Sequence, residues 1–290
     1  MDKLYEISNL RCSYDKHYRE GISRVVLEIN HLTIPRGKKI FIVGESGIGK
    51  STILETLGMM NNTIVHDDSM HFLFFDKKGA VVNMANMWKQ DDNVLSDFRL
   101  KNYSFIFQST NLMKNFTAFE NIAFTRMLQG ICKKSSFQLA KHTLEVLGLH
   151  HIDEQRMAQE LSGGQQQRLA FARAILPDFT VLFGDEPTGN LDVENAIRVM
   201  EILSDKMGDQ DGATAIIVSH DMHLAITFAD IVIKIRKEFR PKTVSDDEDI
   251  AYGVIDDTCI FAPKDCDRAC WSNGIISYSD IEFERYLRNK

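Results

Sequence analysis

The stretch Gly44–Thr52, GESGIGKST, follows the apolar run KIFIV at 39–43 and leads into TILETLGMM, where a helix is predicted to begin. It fits the pattern G-x-x-x-x-G-K-[ST]. Glycines in such a loop let successive backbone N–H groups point inward, and the N-terminus of the following helix favours an anion. The strand before the loop and the helix after it favour a phosphate-binding loop over an ordinary glycine-rich turn.

The pattern predicts a role for each residue of this loop. Lys50 would reach the β- and γ-phosphates of a nucleoside triphosphate, and Ser51 would hold Mg²⁺. The remaining contacts would come mainly from backbone groups, at Gly44, Glu45, Ser46, Gly47, Ile48, Gly49 and Thr52.

Two further apolar runs, TVLF at 180–183 and AIIV at 215–218, end close to polar residues. Continuous apolar strands separated by helical segments predict a parallel sheet, and ligands bind at the carboxyl ends of its strands. After the first run, Asp185 would orient Mg²⁺ and Glu186 would position the attacking water or take its proton. An isolated Asp-Glu pair is usually a plain strand end, but the phosphate loop favours the catalytic interpretation.

Composition limits the classes of protein. A hydrophobic content of 44% and a charged content of 26% are typical of soluble globular proteins. There is no apolar run of the roughly 18 residues that a membrane span needs, and the N-terminus lacks the apolar core of a signal peptide. We therefore expect a cytosolic protein. The net charge of −7 argues against nucleic acid as the main ligand.

The rest of the chain divides into regions of different character. The run VVLEINHLTIPRGKKIFIV alternates like antiparallel strands that turn at 35–37. Between about 109 and 162, the runs AFENIAFTRMLQ, SSFQLAKHTLEVLGL and DEQRMAQEL have helical spacing and predict a small inserted helical subdomain. Later, SNGIISYSD carries the Asn-Gly signal of a tight hairpin.

In order along the chain, GESGIGKST, FIFQ, LSGGQQQR, FGDEPTGNLD and IIVSHD resemble the motifs of the ATP-binding cassette (ABC) ATPases. The resemblance covers about residues 1–237 and is strongest to the nucleotide-binding subunits of ABC transporters. Its most specific element is Leu161–Gln165. The runs LSGGQQQR and DEPTGNLD are most similar to the branch that serves lipoprotein release, macrolide export and cell division.

The resemblance implies an α/β fold of the P-loop NTPase (RecA-like) type. Its mainly parallel sheet would carry an N-terminal antiparallel β subdomain and an inserted α-helical subdomain. Residues 1–290 would form a single ABC ATPase domain. Its parts would be an α/β core at 1–108 and 169–237, a helical subdomain at 109–168, an atypical insertion at 238–271 and a closing segment at 272–290.

Leu161–Gln165 matches the signature motif of the family. The resemblance implies that Ser162, Gly163, Gly164 and Gln165 grip the γ-phosphate of an ATP bound mainly by a second subunit. The two glycines would let that ATP approach the backbone closely. The alternative is a flexible helix start, at which Ser162 serves only as the N-cap.

Other positions match family motifs one by one. Gln108 would be the Q-loop glutamine, which contacts Mg²⁺ or the attacking water. His220 would be the switch histidine on the γ-phosphate. Asp192, with 189–191, would form the D-loop, although it is also a candidate N-cap. Tyr14 would stack on adenine, and Tyr18 is its competitor.

These matches imply an ATPase that uses ATP and Mg²⁺. Its partners would be a second copy of itself, in a dimer that sandwiches two ATP molecules, and an integral membrane permease. The chain would be cytoplasmic and peripheral on the inner face of the membrane. Leu112, Met113 and Phe116 would form either the docking groove for the permease or part of a helical core. A soluble ABC ATPase that acts on ribosomes or DNA is the alternative.

Several features depart from the family pattern. Members close with a strand, a short turn and a strand; here residues 238–271 separate DIVIKIRK from NGIISYS. That segment includes the acidic run SDDEDI, which predicts a solvated loop. Its Cys259, Cys266 and Cys270 are not spaced like zinc ligands, so ordinary reduced thiols are favoured over a metal site. Glu45 replaces a neutral residue, but backbone groups should still bind the phosphates.

Overall fold

The computed structural model describes residues 2–14, 25–189, 191–209, 212–240, 250–264 and 269–289. Tyr18, Asn190, Cys266 and the acidic residues 246–249, for which the sequence suggests roles, lie outside these ranges.

The β-strands of the described residues are arranged in sheets. In chain order, the strands are β1 (Lys3–Ser13), β2 (Val25–Pro35), β3 (Lys39–Val43), β4 (Ile64–Val65), β5 (His71–Phe75), β6 (Val81–Asn83), β7 (Tyr103–Ile106), β8 (Val181–Asp185), β9 (Thr214–Val218), β10 (Ile231–Lys234), β11 (Arg236–Arg240), β12 (Ile250–Ile255), β13 (Ile260–Pro263), β14 (Cys270–Ser272) and β15 (Ser277–Ser279).

The helices connect and cover these strands. They are α1 (Lys50–Leu57), α2 (Met84–Met87), α3 (Asp92–Asn102), α4 (Ala118–Leu128), α5 (Lys133–Val146), α6 (Gly163–Ile175), α7 (Val193–Asp209), α8 (Met222–Phe228) and α9 (Asp280–Arg288). Short 3₁₀ turns lie at Ala158–Glu160 and Asp257–Cys259.

The chain divides into two compact units, Met1–Leu95 with Ile216–Lys290 and Ser96–Ala215. The first unit contains a largely antiparallel sheet with the order β11-β12-β2-β1-β5-β6, and β4 pairs with β1. The two long strands β1 and β2 are antiparallel. Buried and less buried side chains alternate along each half of β2, with Leu27 and Ile29 buried in the first half and Leu32 and Ile34 in the second, and the phase changes between Ile29 and Leu32.

The first unit also contains strands in the order β15-β14-β13-β10-β3-β9. β3 and β10 are parallel, with Ile40 opposite Ile231. Residues 40–43 are at most 1% exposed, as expected for a strand covered on both faces. This burial fixes the end of β3, from which the loop 44–49 leads into α1.

In the second unit, β7 and β8 are parallel, with Tyr103 opposite Val181. The helices α4, α5 and α6 pack against one another, and α6 also packs against β7. The predicted strands at 39–43, 180–183 and 215–218 are therefore present, and the fold class is confirmed: an α/β fold with an antiparallel β part and a group of inserted helices.

The predicted antiparallel pair that turns at 35–37 is wrong in its pairing. The chain turns there, but β2 and β3 do not pair with each other. β2 pairs with β1, and β3 pairs with β10. The alternation that suggested a hairpin belongs to β2 alone. β3 is buried on both faces, so it cannot belong to a half-exposed hairpin.

The predicted helical pattern of DEQRMAQEL, 153–161, is also wrong as an α-helix. Only a 3₁₀ turn forms there, at Ala158–Glu160. The carboxylate of Asp153 accepts the N–H of Gln155 at 2.8 Å, and Met157 forms an isolated antiparallel bridge with Thr117. These local bonds take up backbone groups that a helix would need.

The segment 238–271 contains regular structure. β11 and β12 form an antiparallel pair, and β12 runs parallel to β2. The antiparallel neighbour of β10 is β13, so NGIISYS is not the strand that follows β10 in the sheet. The Asn-Gly hairpin is confirmed, since β14 and β15 pair on either side of 273–276.

Candidate functional site

The phosphate loop of the first unit follows β3 and ends where α1 begins at Lys50. Gly47 and Gly49 have φ of 76° and 99°, a left-handed conformation that side chains other than glycine rarely adopt. The Lys50 ammonium donates to the carbonyl oxygens of Gly44 at 2.9 Å and Glu45 at 2.7 Å. The amine therefore folds back over the loop, at the place where a phosphate would be held.

The loop has an exposed part and a buried part. Ser46 and Gly47 are exposed, and so is Ser51 at the start of α1. Ile48 is only 3% exposed, so its side chain belongs to the core. The phosphate-binding roles of the loop backbone and of Ser51 stay predictions.

Tyr14 is anchored to α1 by its hydroxyl. That oxygen lies 3.1 Å from Oγ1 of Thr52, and it donates to Oε2 of Glu55 at 2.9 Å. Partial burial, together with the neighbouring Glu55 carboxylate, raises the pKa of Tyr14. Tyr14 is 52% exposed, and its stacking on adenine stays a prediction. The side chain of Thr52 is buried and bonded within the protein.

His220 lies at the end of β9 and is exposed. It lines a cleft of about 730 Å³ together with the first residues of the phosphate loop, Gly44, Glu45 and Ser46. The same cleft is lined by Lys234–Lys237 and by Tyr286–Asn289. The first unit thus brings the predicted switch histidine to the phosphate loop.

In the second unit, β8 ends at Asp185 and the next residue is Glu186. Glu186 has φ of 48°, an uncommon conformation for a residue other than glycine, and such backbone strain is concentrated at functional sites. The Gln108 amide donates to Oε2 of Glu186 at 3.1 Å. The two predicted catalytic residues of this unit are therefore in direct contact.

Ser162 and Gln165 form a reciprocal capping box at the start of α6. The Ser162 N–H donates to Oε1 of Gln165 at 2.9 Å, and the Gln165 N–H donates to Oγ of Ser162 at 3.4 Å. A side chain added at Gly163 or Gly164 would meet no atom within 4 Å. Ser162 thus caps α6, and its role in the signature motif stays a prediction, since the open glycines leave the helix start accessible to a ligand.

Asp192 caps α7. Its carboxylate accepts the backbone N–H of Asn195 at 2.9 Å and the Asn195 side-chain amide at 2.8 Å. These hydrogen bonds lower the pKa of Asp192. The N-cap role is present, while the D-loop role between subunits stays a prediction.

Leu112, Met113 and Phe116 are half-buried. The fully buried Asn121 holds this segment, since it accepts the Met113 N–H at 2.9 Å and donates to the carbonyl oxygens of Met113 and Thr117. A nearby cleft of about 330 Å³ has an aromatic and aliphatic lining that includes Tyr103, Phe105, Phe107 and Leu128. Leu112, Met113 and Phe116 do not line it.

The structure adds contacts that the motifs do not reveal. Lys237 of β11 pairs with Glu45 of the phosphate loop, with 2.7 Å between Nζ and Oε2. Gln167 is buried behind the signature motif and donates to the carbonyl of Pro187 at 3.0 Å. Lys237 lies in the run DIVIKIRK, but nothing in its spacing indicates a partner so far away in sequence.

Within the described ranges, no group of three or more His, Cys, Asp or Glu side chains could hold a metal ion. Mg²⁺ does not need such a group, because it is commonly held by one or two carboxylates together with water and substrate phosphates. The exposed hydroxyl of Ser51 and the Asp185 carboxylate are oxygen ligands of that kind. The described cysteines, Cys12, Cys132, Cys259 and Cys270, are free thiols.

Among the helices that the structure describes, none is both long and apolar enough to span a bilayer.

A family model described as ABC transporter matches residues 27–189. The chain is 35% identical over 225 residues to the lipoprotein-releasing system ATP-binding protein LolD of Rickettsia bellii, a match that covers 77% of this chain and 91% of that protein. It is 36% identical over 223 residues to the macrolide export ATP-binding/permease protein MacB of Aggregatibacter actinomycetemcomitans. That match covers 77% of this chain but only 32% of MacB.

The fold is similar to a solved dimeric structure of MJ0796, described as a bacterial ABC transporter cassette. The TM-score is 0.66 at 27% identity, and the match covers 80% of this chain and 94% of the other. Sequence and structure comparisons therefore agree with the resemblance that the five motifs carry.

Proposed function

Because the chain belongs to the family of ABC transporter ATP-binding cassettes, which hydrolyse ATP to drive transport, we propose that it powers a separate membrane permease. The observation that carries the proposal is the pairing of Gln108 with Glu186 at the end of β8, in a chain whose Lys50 closes an intact phosphate loop. A cassette that only bound nucleotide would not need this carboxylate.

We assign the chemical step as follows. Lys50 and the backbone of 44–52 bind the triphosphate, and Tyr14 stacks on the adenine. Ser51, Gln108 and Asp185 would hold Mg²⁺, which neutralises charge on the phosphates when it is bound. Glu186 accepts a proton from the attacking water or orients it, and Gln108 and His220 position the reacting groups.

Two copies of the chain would sandwich two ATP molecules. The open glycines at 163–164 and the exposed Ser162 support this arrangement, because they leave helix N–H donors accessible to an anion on a facing protomer. The dimeric cassette to which this chain is similar supports it as well.

The dimer is tested with Glu186→Gln, which keeps the side-chain shape but removes the carboxylate. We expect hydrolysis to fall by about 10²–10⁴-fold and the variant to accumulate as a dimer in saturating MgATP. Light scattering coupled to size exclusion measures the mass, with Glu186→Gln plus Ser162→Ala as the variant that should stay monomeric. A Glu186→Gln sample that remains monomeric with bound ATP contradicts the sandwich.

We place the permease contact at the aromatic cleft of the second unit and the complex at the inner face of the membrane. Leu128 lines this cleft and is 52% exposed, beside the half-buried rings of Phe105 and Phe107, so an apolar side chain of a partner could pack against it. The names of the LolD and MacB relatives, which concern lipoprotein release and macrolide export, support a membrane partner.

The partner is tested by purifying the tagged chain from detergent-solubilised membranes. Leu128→Asp should lose the integral membrane protein that copurifies with the parent. Val81→Asp is the matched control, because Val81 is similarly exposed, at 56%, but lies on β6 and does not line the cleft. Recovery of the parent with ribosomes or DNA, and with no membrane protein, would favour the soluble alternative.

A further inference from the structure

The C-terminal hairpin β11–β12 contacts the phosphate loop through one pair of opposed residues. Lys237 of β11 and Gly253 of β12 face each other in the antiparallel register. Opposed residues of such a pair project to the same face of the sheet. Lys237 reaches Glu45 and Gly253 lies against Ile48, so this pair faces the loop.

Residue 253 must be glycine because no space is available for a side chain, and not because of its backbone conformation. It is not one of the glycines with positive φ. A methyl group at this position would overlap the carbonyl oxygen of Ile48, and it would lie 2.8 Å from Cγ2 of Ile235 and 3.1 Å from Cδ1 of Leu27. Any larger residue must therefore push β12 away or displace the backbone of the loop.

The neighbours of Gly253 cannot easily move aside. Ile48 and Ile235 are each 3% exposed, and Leu27 is fully buried. Leu27 also lies under the loop, since a side chain added at Gly49 would be 3.2 Å from its Cβ. Because interiors are close-packed, the apolar residues that touch Gly253 transmit its position to the loop.

Lys237 acts on the charge of the loop. Glu45 places a carboxylate beside the phosphate-binding backbone, where it would repel a triphosphate. The Lys237 ammonium lies 2.7 Å from that carboxylate, and the two side chains are 37% and 28% exposed. Ion pairs this exposed add little to stability, so the main effect of Lys237 is on the potential at the loop.

We propose that the hairpin β11–β12 braces the phosphate loop, and that Gly253 and Lys237 are positioning residues for ATP binding. Gly253 lets the hairpin support the Ile48 carbonyl, and Lys237 offsets the charge of Glu45. The proposal rests on the proposed function only in requiring that this loop binds ATP.

The steric part is tested with Gly253→Ala in the full chain, by titration with a fluorescent ATP analogue. We expect the Kd to rise by about tenfold or more, because a small displacement of the loop misplaces several phosphate contacts together. Gly208→Ala is the matched control, since Gly208 is exposed and an added methyl meets nothing within 4 Å. Unchanged affinity in a folded Gly253→Ala protein overturns the steric part.

The electrostatic part is tested with Lys237→Ala, which removes an exposed side chain and should fold even if Gly253→Ala does not. We expect KM for ATP to rise by about two- to fivefold with kcat unchanged, an effect that shrinks at high salt. Adding Glu45→Gln should restore the parental KM. A parental KM in Lys237→Ala, or no rescue by the second change, overturns this part. A parent that binds no ATP instead contradicts the proposed function.

Discussion

The phosphate loop 44–52 and the C-terminal region 236–289 belong to the same unit, but different interactions fix their structures. In the loop, left-handed glycines and the Lys50 amine set the backbone path through contacts between residues a few positions apart. A sequence motif can encode such contacts directly.

The C-terminal region is fixed by a small aromatic core. Trp271 and Phe283 are fully buried and stack with their ring centroids 5.0 Å apart, and Phe261 lies 5.1 Å from Phe283. The Trp271 indole N–H donates to Asp280 at 3.0 Å, so the ring is buried with its polar atom satisfied. The phosphate loop is thus fixed by backbone conformation and local hydrogen bonds, and the C-terminal region is fixed by packing of aromatic rings. Substitutions should separate the two.

The largest effect should come from Trp271→Ala. Removing this buried ring should lower the free energy of unfolding by about 3–5 kcal/mol, since truncation leaves a cavity in the aromatic core. Urea denaturation measures the loss. Ile275→Ala, at a site 76% exposed, should change stability by less than about 0.5 kcal/mol. Equal losses in the two variants would mean that the aromatic cluster is not a core.

By contrast, Lys50→Ala should act mainly on ATP hydrolysis and not on the free energy of unfolding. We expect kcat/KM for ATP to fall by about 10²–10³-fold, roughly 2.7–4 kcal/mol of transition-state stabilisation, because a charged donor to the phosphates is lost. Steady-state ATPase assays measure it, with the exposed Lys78→Ala as control. A variant that hydrolyses ATP at the parental rate removes Lys50 from the site.

A smaller effect should separate two similar glycines. Gly47 and Gly274 have φ of 76° and 86°, and a side chain at either would meet nothing within 4 Å. Alanine should therefore cost each site about 1–2 kcal/mol of backbone strain. Only Gly47→Ala should also weaken ATP binding, which titration of both variants with the same analogue will show. Equal affinities would mean that the path of the loop does not matter.

The smallest effect concerns Asp256 in the C-terminal region. Partial burial would raise its pKa, but hydrogen bonds from Thr258 and Arg236 outweigh this and hold the pKa below its ordinary value of about 4. A lowered pKa in the folded state stabilises the fold above that ordinary value, and the gain is lost as pH falls through the folded-state pKa. Asp256→Asn should thus lower the urea midpoint at pH 7.

The same comparison at low pH provides the check. Once Asp256 is protonated in both states, the parent and Asp256→Asn should unfold at closely similar urea concentrations. Asp68→Asn, which removes an exposed carboxylate, should follow the parent at both pH values. A difference that persists unchanged in acid would mean that charge is not the cause.

The sequence indicated candidate site residues and the fold class, but not the pairing of the strands, for physical reasons. Lys50, Ser162 and Glu186 lie in short motifs whose chemistry needs fixed spacing, so their positions could be read directly. The pairing of β2 and the place of β13 depend on contacts between residues far apart in the chain. Residue 253 must be glycine because a side chain there would overlap the carbonyl of Ile48, and no local sequence pattern links these two residues.

The helix start at Ser162–Gln165 also bears on how long two protomers would stay together in the proposed dimer. Two of its donors, the N–H groups of Ser162 and Gln165, already bond within the chain, so a phosphate that took them would exchange one set of hydrogen bonds for another and gain only the difference. A modest net gain gives a short lifetime once the terminal phosphate has been cleaved. We therefore expect the protomers to separate within each turnover, without a dedicated release factor.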